Sequence, residues 1–256
     1  MQITGIAVLI TGASRGLGRE VAGLFAARGA RLILTARDPE ALARAAAELR
    51  GVRGPDGRPA EVLAVPGDVA DEEHAERLVW LALSRFGRID ALVNNASTLG
   101  GSPMPKLEAL DPRVFDETLR VNVTAPLRLI QLVLPQMKAR GSGVIFNVTS
   151  DAGVEAYPGW GGYGVSKAAL EHLSRILAAE LAGTGVRVYV VDPGDMNTRM
   201  HRDAEPGVDL SHLPSPAIPA PAFVRLAEDE PADFGRFVAG QLIDAPVRDG
   251  QAAPVS

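Results

Sequence analysis

The chain contains no cysteine, and its basic residues are outnumbered by acidic ones. Without a thiol, disulfides, thiol catalysis and cysteine-ligated metals are excluded, which suits a reducing compartment. The 26 Lys and Arg against 31 Asp and Glu give a net charge of -5. Such a balance provides no broad positive surface for phosphate backbones. Nucleic acid is therefore not expected as a partner.

Long apolar runs are missing as well. Nowhere does the sequence approach the roughly 18 consecutive apolar residues that a bilayer span requires. The short apolar run at residues 6–10 has no basic leader before it, so a signal peptide is not expected. These features predict no membrane partner and a cytoplasmic location.

Metal-binding and hydrolase patterns are absent too. The histidines are scattered without metal-ligand spacing, and we expect them at solvated surface positions: His74, His172, His201 and His212. No metal site is predicted. A G-x-S-x-G nucleophile turn does not occur, which disfavours a serine hydrolase.

Short apolar segments alternate with longer segments of helical periodicity. Buried strands are predicted at residues 6–10, 31–35, 61–65, 89–93, 143–148 and 186–191. Helices long enough to cross over a parallel sheet are predicted at residues 16–28, 39–50, 72–86, 112–139 and 161–182. The pattern indicates an α/β fold: a single-domain Rossmann fold over residues 1–256, with a doubly wound parallel sheet of about seven strands and helices on both faces.

Local signals mark the ends of these helices. N-caps are predicted at Asp38, Asp71 and Asp111. Left-handed glycines that end helices are predicted at Gly29, Gly51, Gly87 and Gly141. Residues 194–221 carry five prolines after position 200 and little periodicity, so we expect a substrate lid there.

A glycine-rich turn follows the first strand, reading T-G-A-S-R-G-L-G from residue 11. Glycine permits a tight turn, and the N–H groups and dipole of the following helix favour a pyrophosphate. A nucleoside triphosphate loop is disfavoured, because no Lys-Ser/Thr pair follows the last glycine. Taken alone, the pattern fits either an ordinary turn or a dinucleotide site formed by Gly12, Ser14, Arg15, Gly16, Leu17 and Gly18.

Further motifs follow in a fixed order: Asp68-Val69, Asn94-Asn95-Ala96, Asn122, Ser150, Tyr163-x-x-x-Lys167 and Pro193-Gly194. Over about residues 5–200 this series resembles the short-chain dehydrogenase/reductase family, with a faint likeness to its sepiapterin reductase branch. No equivalent of that branch's pterin-binding carboxylate is found. One departure is Ser97, where the family commonly has glycine. We expect its side chain to narrow the loop near the nicotinamide.

The resemblance implies catalytic roles for Asn122, Ser150, Tyr163 and Lys167. The residue types agree: four positions along a helix place Tyr163 and Lys167 on one face, where an ammonium lowers the pKa of a phenol. Tyr163 would then transfer a proton to or from the substrate oxygen, which Ser150 would hold. By resemblance, Lys167 would also bind the nicotinamide ribose, and Asn122 would hold a water that relays protons. Singly, each residue could instead be structural.

The cofactor choice is predicted from the end of the second strand. Ala36 stands where NAD-specific relatives carry an acidic residue, and Arg37 can pair with a 2′-phosphate, with Arg15 as a second cation. Asp38 could take the acidic role after a one-residue misalignment, although it is better explained as the cap before Pro39. We therefore predict NADPH/NADP⁺ rather than NADH.

The remaining contacts are implied by the resemblance. Asp68 and Val69 would frame the adenine, and Asn95 and Ala96 the ribose side. The nicotinamide amide would be contacted by Pro193, Gly194, Met196 and Thr198. An apolar substrate pocket is predicted from Leu99, Tyr157, Trp160 and Met200.

These residues predict an NADPH-dependent reductase that converts a ketone or aldehyde into an alcohol. Two alternatives stay open: a pteridine reductase, and a module that senses NADP without turnover. Family relatives are usually oligomers, so a homodimer or homotetramer paired through the two long helices is expected.

Overall fold

A computed structural model describes residues 1–244, and the predicted doubly wound α/β fold is confirmed there. One sheet holds seven parallel strands in the order β3-β2-β1-β4-β5-β6-β7. They are β1 Ala7–Thr11, β2 Arg31–Thr35, β3 Val62–Ala64, β4 Ala91–Asn94, β5 Gly143–Val148, β6 Val186–Asp192 and β7 Phe234–Val238. Because all strands run the same way, their carboxyl ends meet at one edge, where open α/β sheets bind ligands.

Helices cover both faces of this sheet. They are α1 Gly16–Ala27, α2 Pro39–Arg50, α3 Glu72–Phe86, α4 Pro112–Leu119, α5 Ala125–Arg140, α6 Gly161–Glu180, α7 Arg199–Ala204, α8 Pro221–Asp229 and α9 Ala239–Asp244. One core cluster joins the sheet to α1, α2 and α8, and a second joins it to α3, α5 and α6. The central strands are buried on both sides, which explains their continuous apolar sequences.

The predicted N-caps are confirmed, since Asp38, Asp71 and Asp111 each accept a backbone N–H of the helix that follows. Three of the four predicted left-handed glycines have positive φ: Gly29, Gly87 and Gly141. The prediction for Gly51 is wrong. Its φ is -76°, because the chain tightens there into a further right-handed turn with an N–H bond to the Glu48 carbonyl.

Two further elements differ from the prediction. The helix predicted at residues 112–139 is divided into α4 and α5 by a π-helical segment, Arg120–Thr124. Pro126 has no N–H to donate to the Asn122 carbonyl four residues earlier, which accounts for the interruption. The seventh strand, β7, was not located by the sequence, because Gly235 and Arg236 break its apolar pattern.

The environment of the histidines also needs correction. His74 is buried and its Nε2 lies 2.8 Å from the Thr35 hydroxyl, while His201 is largely covered. Burial lowers the pKa of His74. Within residues 1–244 no helix is long and apolar enough to cross a membrane. The predicted lid, residues 194–221, contains the short helix α7 and is otherwise irregular.

Gly18 provides a test of the turn between β1 and α1. A Cβ at this position would lie 2.6 Å from the Gly12 carbonyl oxygen and 2.6 Å from Asn95 Nδ2. We expect Gly18→Ala to lower the free energy of unfolding by about 1–3 kcal/mol, measured by urea denaturation, because the crowded backbone must move.

Gly23→Ala in the same helix is the control, since its Cβ would have no neighbour closer than 3.7 Å. Alanine should stabilise that helix by about 0.5–1 kcal/mol. Equal effects of the two substitutions would contradict the crowding described for Gly18.

Candidate active site

Two adjoining cavities open at the carboxyl edge of the sheet. The larger, which we call the cofactor cleft, has a volume of about 860 Å³ and extends from the glycine-rich turn to Lys167. The smaller, the substrate cavity, has a volume of about 450 Å³ and reaches from Ser150 to the predicted lid. Tyr163 is among the residues that line both, so the two cavities meet at this residue.

Most residues predicted to bind the cofactor line the cofactor cleft: Gly12, Ser14, Arg15, Gly16, Leu17, Arg37, Asp68, Val69, Asn95, Ala96, Tyr163, Lys167, Pro193, Met196 and Thr198. Two do not. Gly18 lies beneath the turn against the Gly12 carbonyl, so its role is close packing. Gly194 lines the substrate cavity instead.

The glycine-rich turn is held from the neighbouring strand. Asn95 Nδ2 donates to the carbonyl of Thr11 at 2.9 Å, and the Thr11 hydroxyl accepts the backbone N–H groups of Asn95 and Ala96 at 3.0 and 2.9 Å. Helix α1 then begins at Gly16 without a side-chain cap. Its first N–H groups are therefore open toward the cleft, as a pyrophosphate requires.

The far end of the cleft is rich in arginine. Arg37 and Arg15 are exposed there, whereas Ala36 is buried. The Asp38 carboxylate accepts the Ala41 N–H at 3.0 Å and lies 3.8 Å from the Arg15 guanidinium. It is thus engaged as a helix cap and as an ion-pair partner.

Tyr163, Lys167 and Ser150 converge beneath the junction of the cavities. Tyr163 and Lys167 are both buried on α6, and Lys167 Nζ lies 5.3 Å from the centroid of the Tyr163 ring. Lys167 Nζ donates to the Val148 carbonyl at 2.9 Å. The Ser150 hydroxyl donates to Asp151 Oδ1 at 2.9 Å, and Ser150 is close enough to the Tyr163 phenol to influence its pKa. The structure thus brings together three of the side chains that the sequence pattern selected as catalytic candidates.

The predicted lowering of the Tyr163 pKa is wrong for the protein alone. Burial raises the pKa of Tyr163 above its ordinary value, and the nearby Ser150 hydroxyl only partly offsets this. Burial likewise lowers the pKa of Lys167 to about 8, against the attraction of Asp192 and Glu171. The phenol therefore keeps its proton at neutral pH.

The side chain of Asn122 is fully engaged by the protein. Its Nδ2 donates to the Thr98 carbonyl and to the Ser166 hydroxyl, each at 2.9 Å. Its Oδ1 accepts from the Thr98 N–H at 2.8 Å and from the Ser97 hydroxyl at 3.1 Å. Ser97 therefore turns toward Asn122. Any water held by Asn122 would have to use its backbone.

Comparison with known proteins agrees with this geometry. The family model described as short chain dehydrogenase matches residues 6–209. An uncharacterized oxidoreductase from Thermotoga maritima is 39% identical over 194 residues, covering 76% of this chain and 73% of that protein. The chain belongs to the short-chain dehydrogenase family.

Solved structures of short-chain dehydrogenases superpose closely. Levodione reductase has a TM-score of 0.84 at 28% identity, covering 94% of this chain and 99% of that one. A metagenomic short-chain oxidoreductase in complex with NADP has a TM-score of 0.76 at 29% identity, covering 93% and 97%. This chain is thus a member of an oxidoreductase family that uses nicotinamide dinucleotides.

Beneath the site of this short-chain dehydrogenase lies a buried charge network that the sequence analysis missed. Arg236 on β7 pairs with Glu171 and with Asp192, each at 3.1 Å. Glu171 also accepts the Thr149 hydroxyl at 2.7 Å. Burial raises the pKa of Asp192, and Arg236 opposes that shift. The sequence offered one signal for this network, the position of Glu171 one helical turn beyond Lys167. It gave no indication that either carboxylate pairs with Arg236.

The substrate cavity contains all four predicted residues, Leu99, Tyr157, Trp160 and Met200. It also contains polar residues that the sequence analysis did not assign to it: Asp151, Asp192, Asp195, His201, Glu205 and His212. The wall is therefore mixed rather than apolar. Within residues 1–244 no group of three or more His, Asp or Glu has an arrangement that would hold a metal ion.

The charge network predicts a large loss of stability for Arg236→Gln. The substitution removes the cation shared by two carboxylates whose side chains are only 3% and 5% exposed. We expect the free energy of unfolding to fall by about 3–5 kcal/mol in chemical denaturation, because two buried carboxylates lose the cation that they share.

Arg175→Gln is the matched control, because Arg175 pairs with the same Glu171 carboxylate but is 53% exposed. A surface pair of this kind contributes less than about 1 kcal/mol. A loss for Arg236→Gln no larger than that for Arg175→Gln would show that the network does not depend on burial.

Proposed function

We propose that this chain reduces a ketone or aldehyde to an alcohol with NADPH, and that Tyr163 donates the proton. The observation that carries the proposal is the position of Tyr163 in the walls of both cavities, with Ser150 in the wall of the substrate cavity and Lys167 Nζ 5.3 Å from the centroid of its ring. In that position the phenol faces a group in either cavity.

When bound, the cofactor supplies hydride to the carbonyl carbon. Tyr163 passes its proton to the oxygen, which gains negative charge as the carbonyl is reduced. Because burial raises the pKa of Tyr163, the phenol is protonated at neutral pH and needs a nearby positive charge to assist its donation. Ser150 turns its hydroxyl proton from Asp151 Oδ1 to the same oxygen and stabilises the charge that develops there.

Lys167 is proposed to act from beneath Tyr163. Its ammonium is fixed by the Val148 carbonyl, so it lies at a constant distance from the phenol. A positive charge at this place stabilises the phenolate that remains after proton transfer. Asn122 acts indirectly, because it ties residues 97–98 to Ser166 on the helix that carries Tyr163 and Lys167.

The preference for NADPH is proposed from the charges at the far end of the cofactor cleft. Arg37 and Arg15 are the cations there, and the Asp38 carboxylate caps α2 and pairs with Arg15. A guanidinium binds a phosphate through two parallel hydrogen bonds, so Arg37 is suited to the adenosine 2′-phosphate.

Residues 194–221 are proposed as a lid over both cavities. Thr198, Met196 and Met200 line each of them. The Thr198 methyl also lies nearest to the position that a Cβ on Gly16 would occupy, at 3.8 Å. Closure of this segment would exclude water from the reacting carbonyl.

Tyr163→Phe tests the proton donor. Loss of the hydroxyl should lower kcat for ketone reduction by about a hundredfold to ten-thousandfold, the usual range for a missing general acid. NADPH oxidation across ketones, aldehydes and pterins gives the rate, and NADPH fluorescence gives the affinity. If Tyr163→Phe still binds NADPH but no longer oxidises it, the result supports Tyr163 as the proton donor of an enzyme. A wild-type protein that binds NADPH but oxidises it with no carbonyl compound would instead be a sensor.

Arg37→Ala tests the cofactor preference. We expect the KM for NADPH to rise about tenfold or more while the KM for NADH stays nearly constant, because only NADPH carries the 2′-phosphate. Arg44→Ala is the control, since Arg44 is an exposed arginine of α2 that pairs with Glu40 outside the cleft. Equal changes for both coenzymes would contradict the assignment of Arg37.

A further inference from the structure

The substrate cavity holds one carboxylate that is bonded only by neutral groups. Asp151 directly follows Ser150, in a short 3-10 turn. Its Oδ1 accepts the Ser150 hydroxyl at 2.9 Å and the Ala152 N–H at 2.8 Å, and its Oδ2 accepts the Tyr157 hydroxyl at 2.8 Å. These bonds fix the carboxylate beside the reacting groups without cancelling its charge.

The other carboxylates of this cavity lie beside an arginine or a histidine. Asp192 is paired with Arg236 at 3.1 Å. Asp195 and Glu205 lie 3.9 and 3.5 Å from the two ring nitrogens of His201. Among the described residues that line the cavity there is no lysine or arginine. A molecule entering beside Ser150 therefore meets the uncompensated charge of Asp151.

Aromatic rings stand next to this carboxylate. Tyr157 and Trp160 line the cavity with their ring centroids 6.2 Å apart, and Trp160 and Tyr163 follow at 5.9 Å, both pairs in edge-to-face arrangements. Aromatic faces attract cations through their quadrupole. Rings beside a carboxylate form a combination suited to a positively charged nitrogen.

We propose that the substrate cavity selects carbonyl compounds that carry a cationic nitrogen close to the carbonyl, and that Asp151 is the residue that determines this specificity. The inference rests on the reduction proposed for Tyr163 and names its substrate class. The nitrogen lies between Asp151 Oδ2 and the rings of Tyr157 and Trp160, while the carbonyl oxygen reaches Ser150 and Tyr163. An anionic substrate is repelled by the same carboxylate.

The apolar part of the cavity is compatible with this class. Leu99 and Met200 provide surface for a hydrocarbon or aromatic group on the other side of the carbonyl. Tyr157 is 44% exposed, so its hydroxyl can move aside from Asp151 at little cost in packing. Amino ketones with an aryl group therefore meet all the groups in this wall.

The test uses two ketones of the same shape and different charge, phenacyltrimethylammonium and neopentyl phenyl ketone. The measured quantity is the ratio of their kcat/KM values. Asp151→Asn should lower this ratio at least about tenfold, which corresponds to about 1.4 kcal/mol, because the carboxylate charge is lost. A general loss of activity lowers both rates and leaves the ratio unchanged.

Glu155→Gln is the matched control, since Glu155 is an exposed carboxylate of the same loop that does not line the cavity. It should leave the ratio near its wild-type value. An unchanged ratio in Asp151→Asn, or an equal fall in Glu155→Gln, overturns the proposal.

Binding of unreactive analogues keeps the proposal testable without turnover. By calorimetry, wild-type protein should bind benzyltrimethylammonium at least about tenfold more tightly than phenylacetate. Equal or tighter binding of phenylacetate overturns the inference even if Asp151→Asn does not fold. If no ketone is reduced but the cation still binds in a manner dependent on Asp151, the reduction is refuted and the selectivity of the cavity stands.

Discussion

Burial of the Lys167 ammonium is the constraint on which the arrangement of this site depends. A charge removed from water has to be held by hydrogen bonds and opposite charges, or it is lost as a proton. Here the Val148 carbonyl fixes the ammonium, and the Glu171 and Asp192 carboxylates favour its charged form. Those carboxylates in turn pair with Arg236 on β7. Arg236 lines neither cavity, but it supports the site through these two ion pairs.

Much of the fold and of the reacting centre was predictable because it depends on local sequence. Short apolar runs between helical segments indicated six of the seven strands that the structure describes. Three aspartates indicated where α2, α3 and α4 begin. The four-residue spacing of Tyr163 and Lys167 placed both on one helix face. Apolar periodicity, N-cap residues and four-residue spacings each involve residues close together in the chain, so they are visible in the sequence.

The other features come from contacts between distant parts of the chain. The pairs of Arg236 with Glu171 and Asp192 join residues separated by 65 and 44 positions. No local pattern indicates which arginine neutralises which carboxylate. The raised pKa of Tyr163 has the same origin, because burial depends on the packed fold and here outweighs the effect of Ser150. Oligomeric state, location and the sepiapterin-like branch stay predictions.

The cofactor cleft and the substrate cavity differ in the charge of the residues that line them. Among residues 1–244, five basic side chains line the cofactor cleft against three carboxylates: Arg15, Arg37, Lys167, Arg199 and Arg202 against Asp38, Asp68 and Asp203. The described wall of the substrate cavity has four carboxylates and no lysine or arginine. Phosphates are therefore attracted to one end and cations to the other. Tyr163 lines both cavities, so these charges favour the approach of the dinucleotide and of the proposed cationic carbonyl compound to Tyr163 from opposite sides.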